Sequence, residues 1–231
     1  MKRFYERAEP SSSGEGSRVL LDGRPLRTPA GRTLLLPGPG LAAAIAGEWA
    51  AQGERIAPHS MPLTRLATTV VDLLPARRGE VVAELTGFAR TDLLCYRVAH
   101  PRELVVRQER EWQPWLDWAA REFDAPLRAT AELEPVAQPE AAVRRLTAAV
   151  EKLDDWRLAG VRAATTLTGS LVLGLAAARA GLTGARAFAL AHLEELWEIE
   201  RWGCDPEQEA RHAAIRRDLD AACRWLRLLE A

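Results

Sequence analysis

The chain has 231 residues, 48% of them hydrophobic, enough to bury a core in one large or two small domains and too many for a disordered segment. Its 31 Lys+Arg and 32 Asp+Glu are interspersed and leave a formal net charge of -1, which gives no field to hold nucleic acid or an anionic membrane. Three cysteines, Cys95, Cys204 and Cys223, make no C-x-x-C spacing, which argues against a disulfide framework and a zinc site and fits a reducing cytoplasm.

The opening M-K-R-F-Y-E-R has charge but no apolar run behind it, so no secretory signal is expected. Ser11 to Gly16 reads as a flexible loop. Asp22-Gly23 lies between extended segments, the short-range signal for a hairpin turn needing φ > 0. Thr33 to Leu36, bounded by Gly31 and Pro37, reads as a further strand. A helix follows from Leu41 to Gln52, on which Trp49 shares a face with Ala42 and Ile45 and anchors the helix onto the strands. Met61-Pro62-Leu63 reads as extended, and Thr64 to Leu74 as a second helix. Character changes near residue 75, beyond which the pattern is almost wholly helical. The expectation is an α+β protein, with a small strand-rich N-terminal domain over 1–75 and a larger all-helical C-terminal domain over 76–231.

In that second part, Leu93 to Val98 and Leu127 to Thr130 read as short extended pieces. Pro101 opens a helix carrying Trp112, Trp115 and Trp118 as a core stripe, and Pro114 within it predicts a kink or a break. The uncharged run from Ala163 to Ala178 falls short of the ~20 apolar residues of a membrane span and reads as one buried helix. Along it Ser170, Gly174 and Ala178 form a strip of small residues where a neighbouring backbone can approach. Gly203 stops one helix, Asp205-Pro206 starts another, and Ile215, Leu219, Ala222, Leu226 and Leu229 repeat at helical spacing. The last two helices are therefore expected to form an antiparallel hairpin. His59 and His100 flank prolines and read as solvated.

Catalytic patterns are thin. The chain has no G-x-S-x-G elbow, P-loop or dinucleotide glycine fingerprint, so no nucleotide and no other cofactor is expected. Glu209 and His212 make one E-x-x-H, the unit of carboxylate-bridged metal sites in helix bundles, but that architecture needs two such units and two further glutamates. A metal-carboxylate enzyme built on Glu209 and His212 is thus the alternative reading, and no bound metal is expected.

The most informative stretch is E-E-L-W-E-I-E-R-W-G, residues 194 to 203, which sets carboxylates among aromatics. On a wheel of about 100° per residue, Leu190, Leu193, Leu196 and Trp197 form one apolar stripe, with Phe188, Ile199 and Trp202 opposite. Glu194 falls in the polar sector, Glu200 on the leucine side, and Glu195 between Phe188, Ile199 and Trp202. A buried ionised carboxylate costs several kcal/mol unless it finds an arginine, a proton, a metal or another protein's donors. The expectation is that Glu195 is short of internal partners and awaits those of a client.

K-R-F-Y, L-L-D-G-R-P-L-R-T-P, E-W-A-A-Q-G-E-R-I, M-P-L-T-R-L-A, D-L-L-C-Y-R, L-T-G-S-L-V-L-G-L-A and E-E-L-W-E-I-E-R-W-G occur in that order from Lys2 to Gly203. On these segments the chain resembles the assembly chaperones of F-type ATP synthase that bind the alpha subunit. The resemblance implies a non-enzymatic factor that holds unassembled alpha subunit of the catalytic head and yields it to the beta subunit. It implies a strand-rich N-terminal domain joined to a helical one, and a functionally critical acidic pair at Glu194 and Glu195, with Glu200 and Trp202 as further partner-binding candidates. Trp49, Arg65 and Asp92, within the shared segments, are secondary candidates, either partner-binding or structural. Eukaryotic members work in the mitochondrial matrix, and a bacterial cytoplasm is the simpler home for this chain. Apolar faces alternate with Arg and Glu often enough that a monomer or weak oligomer is expected.

Overall fold

Asp22 and Gly23 take φ of 48° and 78°, the left-handed pair that a two-residue hairpin requires, and the chain reverses there so that Leu21 pairs with Arg24. The structure, a computed structural model, describes residues 1–13, 16–132 and 134–230. Three antiparallel strands, β1 (Ala8–Ser13), β2 (Gly16–Leu21) and β3 (Arg24–Pro25), form a sheet in the order β1-β2-β3. Ser11 to Ser13, read from sequence as loop, belong to β1, and Gly16 opens β2; positions 14 and 15 lie outside the described residues. P-S-S-S has little strand propensity of its own and is recruited by β2, whose Ser17, Val19 and Leu21 face the core in strict alternation. Thr33 to Leu36 is not a regular strand. The Leu34 amide bonds Leu26 and the Leu36 amide bonds Ser17, so the segment changes partner too quickly to form more than two isolated bridges.

Helix α1 (Pro39–Ala50) covers the sheet with Leu41, Ile45 and Trp49 buried, and the Tyr5 hydroxyl donates to the Trp49 carbonyl at 2.7 Å. Met61 to Leu63 is not extended either. A 3-10 turn at Pro58–Ser60 leads into α2 (Pro62–Asp72), which begins on its proline. Met61 at the N-cap has no acceptor to offer the first amides of α2. Glu48, from α1, supplies it by accepting from Leu63 N at 2.7 Å, Thr64 N at 2.8 Å and the Thr64 hydroxyl at 2.7 Å. Burial pushes the Glu48 carboxyl above the usual range against those donors.

The remaining helices begin with α3 (Leu74–Arg90), which starts at the change of character, and α4 (Arg102–Phe123). Pro114 does not break α4. Trp112, Leu116 and Ala119 are buried on either side of it, while Arg110, whose carbonyl loses its amide partner, is exposed to water. Tyr96 and Thr130, from the two short extended pieces, meet in one parallel bridge. Then come α5 (Glu140–Glu151), α6 (Asp155–Thr168) and α7 (Leu171–Arg179). The run read as one buried helix over Ala163 to Ala178 is therefore two helices folded on one another. Gly169 takes φ of 69° to end α6, and the Ser170 hydroxyl accepts from Leu173 N to start α7. The close approach expected along the small residues occurs at Gly174, where a Cβ would overlap the Thr165 hydroxyl and lie 3.0 Å from the Val161 carbonyl.

The chain closes with α8 (Gly184–Ala191), α9 (Leu193–Trp202) and α10 (Pro206–Leu228), ten helices after the sheet among the described residues, so the fold is α+β. Leu219, Ala222 and Leu226 of α10 are buried as their spacing implies. The main packing of α10 is against α6 and α8, not along α9, so the expected hairpin reverses at Gly203 without its two helices lying face to face. Buried side chains form one connected cluster from Val19 and Ile45 to Leu175 and Trp225. No helix among the described residues is long and apolar enough to cross a membrane.

Asp92, fully buried, ties the middle of this arrangement together. It caps the 3-10 turn Leu93–Cys95 by accepting from Leu94 N at 3.1 Å and reaches the first turn of α7, accepting from Val172 N at 3.0 Å. Burial raises its carboxyl to about 6 despite these donors. Its folded-state value lies above the unfolded one, so the folded chain binds the proton more readily between about pH 4 and pH 6. Urea unfolding should show the wild type losing stability relative to Asp92→Asn across that window as pH rises, with no further change above it. Asp92→Ala, which orphans buried amides, should cost about 2–4 kcal/mol at pH 7.

Candidate functional site

His192 is the joint between α8 and α9, closing the first and preceding the second with φ of -109° and ψ of 28°. The helical phase does not continue through that joint, so a wheel drawn from 187 to 202 misplaces the second helix. Phe188 is buried, Ile199 is half-buried, and Trp202 is 83% exposed. Glu195 is accordingly not enclosed by those three.

Nor is Glu195 short of partners. Its Oε2 accepts from the Arg211 guanidinium at 2.6 Å and stands 2.7 Å from His212 Nε2, while Oε1 lies 3.4 Å from His192 Nδ1. An ionised carboxylate only accepts, so each imidazole presents an N–H to it. Burial opposes ionisation of Glu195, but the donors from His212 and His192 and the charge of Arg211 outweigh it and hold the carboxyl below its usual range. The apolar surroundings are a ring box rather than a cleft. Phe188 lies 4.6 Å from the His192 ring and 5.2 Å from that of His212, with the Arg216 guanidinium 4.3 Å over its face.

Among the described residues, the half-buried carboxylate of α9 that meets no cation is Glu194. Its Oε1 accepts from the Gln108 side-chain amide at 2.5 Å; Gln108 is buried on α4 and accepts with its own oxygen from Val98 N. Burial raises the Glu194 carboxyl above its usual value, the Gln108 bond only partly compensates, and the Glu198 charge adds to the rise. Glu200, placed by the wheel beside leucines, is exposed and makes a two-pronged pair with Arg107 of α4 at 2.6 and 2.8 Å. Arg201 pairs with Glu103 at 2.6 Å and lies 3.5 Å over the Trp197 ring.

These contacts define an unusual helix. Leu193 is its one fully buried side chain, Leu196 and Trp197 pack partly buried against the core, and polar links tie α9 to α4 on one side and α10 on the other. Sequence reasoning found the acids and missed every partner: Gln108, Arg107, His192, Arg211 and His212. Only the i, i+3 spacing of His192 and Glu195 was open to inspection.

The secondary candidates lie elsewhere. Trp49 is buried, and its indole N–H has no acceptor among the described residues. Arg65 is exposed on α2 and forms no ion pair among them. Asp92 is wholly occupied by amides of its own chain, which fits the structural member of its two readings. The Glu209–His212 pair does not assemble. The imidazole of His212 faces Glu195, and the group whose donor atoms converge is His192, Glu195 and His212. Arg211 already stands on the shared carboxylate oxygen where a cation would bind, so the donor set favours a structural ion cluster over a metal site.

A family model described as ATP12 chaperone protein matches residues 2–120. The chain is 23% identical over 214 residues to the mitochondrial protein atp12 of Schizosaccharomyces pombe, covering 87% of this chain and 74% of that one. The crystal structure of Atp12 from Paracoccus denitrificans matches with a TM-score of 0.91 at 40% identity, over 99% of this chain and 98% of that one. The Atu1473 protein of Agrobacterium tumefaciens matches with a TM-score of 0.92 at 38% identity, over 99% and 86%.

The two adjacent acids should behave differently on neutralisation. Glu195→Gln removes the centre of a four-residue cluster and should lower the unfolding free energy by about 1–2 kcal/mol, whereas Glu194→Gln should stay within about 0.5 kcal/mol of wild type. Burial holds His192 below its ordinary value of 6.5, and Glu195 partly restores it. NMR titration should place the His192 midpoint below 6.5 and lower again in Glu195→Gln. Since the folded value is depressed, the contribution of neutral His192 to stability is lost as pH falls below about 6.5.

Proposed function

The chain belongs to the ATP12 chaperone family, and on that footing we propose that it serves ATP synthase assembly by holding unassembled alpha subunit and yielding it to the beta subunit, with the outer face of α9 as a holding surface. One observation carries the placement. Trp202 presents 83% of its surface at the C-terminal end of a helix whose first turn carries Glu194, an acid without a cation. A large aromatic left in water and, about two turns back on the same helix, a half-buried carboxylate without a cation are what a partner's apolar patch and a partner's arginine or amide would complete.

The attachment of α9 suits temporary holding. With Leu193 alone fully buried, Leu196 and Trp197 only partly so, and solvent-accessible ion pairs to α4 and α10, much of the fastening of this helix is of a kind that contributes little per contact and adjusts cheaply. Glu195 acts here as a positioning residue, since the Arg211 and His212 contacts fix where α9 stands relative to α10. The division into a strand-containing unit up to residue 75 and a helical unit beyond it is proposed as the family's architecture in this chain.

Capture of recombinant alpha subunit by the tagged full chain tests this. Wild type should retain it. Trp202→Ser combined with Glu194→Gln should weaken capture about tenfold or more, with the thermal midpoint within about 2 °C of wild type. Absence of capture by wild type removes the client; undiminished capture by the double variant removes α9 as the surface.

A further inference from the structure

Two grooves meet at Arg65, away from α9. The larger, of about 840 Å³, lies between the sheet, α1 and α2, and has Phe4, Pro25, Trp49, Ile56 and Met61 among its walls. The smaller, of about 360 Å³, is bounded by α2, α3, α6 and α10 and includes Leu66 and Leu73. Arg65 lines both. Large hydrophobic side chains left in water gather along them: Met1 is 76% exposed and Phe4 63% at the larger groove, and Leu73 is 53% exposed at the smaller. Contiguous apolar surface of this kind marks a binding face more often than chance exposure does.

Charge narrows the occupant. Arg24, Arg27 and Arg65 line the larger groove, and none of them pairs with a carboxylate among the described residues. The acid in the same wall, Asp22, is engaged by backbone instead, accepting from the amides of Glu6 and Arg7 at 2.8 to 3.1 Å. Elsewhere, arginines at comparable positions have found acids, as Arg162 has with Glu84 at 2.9 Å in the wall of the smaller groove. An apolar floor with an unneutralised cationic rim complements a ligand that is apolar and carries negative charge. A fatty acid brings one carboxylate at one end, whereas these guanidinium groups stand on separate elements along an open groove. That spacing suits an extended chain with side chains at intervals.

We propose that the two grooves form a single track for an extended apolar peptide segment, with a carboxylate of that segment paired to Arg65. The track rests on the chaperone reading, which supplies a polypeptide client, and adds a second surface that shares no residue with α9. An apolar segment shielded there is kept from aggregating, and the exposed ion pair leaves it free to depart.

The test uses the full-length chain and fluorescence anisotropy of two labelled short peptides of alternating valine and serine, one with a central glutamate and one with glutamine there. The glutamate peptide should bind saturably and at least about fivefold more tightly than its glutamine counterpart. Arg65→Gln should erase that preference while its thermal midpoint stays within about 2 °C, and Phe4→Ser with Leu73→Ser should weaken both peptides. No saturable binding, a preference unchanged in Arg65→Gln, or displacement by oleate far more readily than by unlabelled peptide each overturns the track. Capture of alpha subunit without carboxylate-dependent peptide binding overturns the track and leaves the α9 reading standing. Carboxylate-dependent peptide binding lost in Arg65→Gln supports the track even where α9 variants leave capture intact.

Discussion

The carboxylate of Asp92 has no exposed surface, and its two oxygens satisfy amides on either side of it, one in the turn it begins and one in the first turn of α7. A helix that starts inside a protein leaves amides without acceptors, and the cost of that is high enough to dictate what stands nearby. Asp92 meets the requirement from 80 residues away in the chain. Glu48 does the same for α2. With α7 located, α4 packs on it, and the Trp112 indole on α4 donates to the Leu190 carbonyl at 2.9 Å, which sets the end of α8 and thus the joint at His192. The position of the candidate surface traces back, contact by contact, to a buried acid.

Adjacent acids on α9 show how environment assigns different roles to the same chemistry. Glu195 meets two imidazoles and a guanidinium and becomes an internal clamp. Glu194 meets one neutral amide and stays a half-buried charge in search of compensation. On the proposed docking face the carboxylate that serves as a handle for another polypeptide is therefore Glu194, one residue from the acid that the sequence favours. What supports α9 as a docking face is the exposed Trp202 and the unpaired Glu194, together with a fastening of ion pairs that water and a client can both contest.

Legibility followed the range of the interactions involved. The Asp22-Gly23 turn, the Asp205 cap and the α10 stripe are decided by neighbours within a few positions, and each stands where its residues imply. The Gly169-Ser170 reversal is also local, a left-handed glycine followed by a capping serine, but the absence of charge around it reads as one uninterrupted helix. Pro114 shows the opposite case, where a local breaker is overruled by buried residues on both sides. P-S-S-S became a strand because β2 had amides and carbonyls to offer it.

By itself the sequence determined the α+β class, the order of sheet and helices, and the acidic, aromatic character of the penultimate helix, since propensity, turns and periodicity are properties of short windows. Only the tertiary structure decided which acid is neutralised, which tryptophan faces water and where unpaired arginines border an apolar groove. Those outcomes depend on which distant side chains the packing of whole helices brings to each charge, and Arg211, Gln108 and Glu48 reach their partners that way rather than through any spacing along the chain.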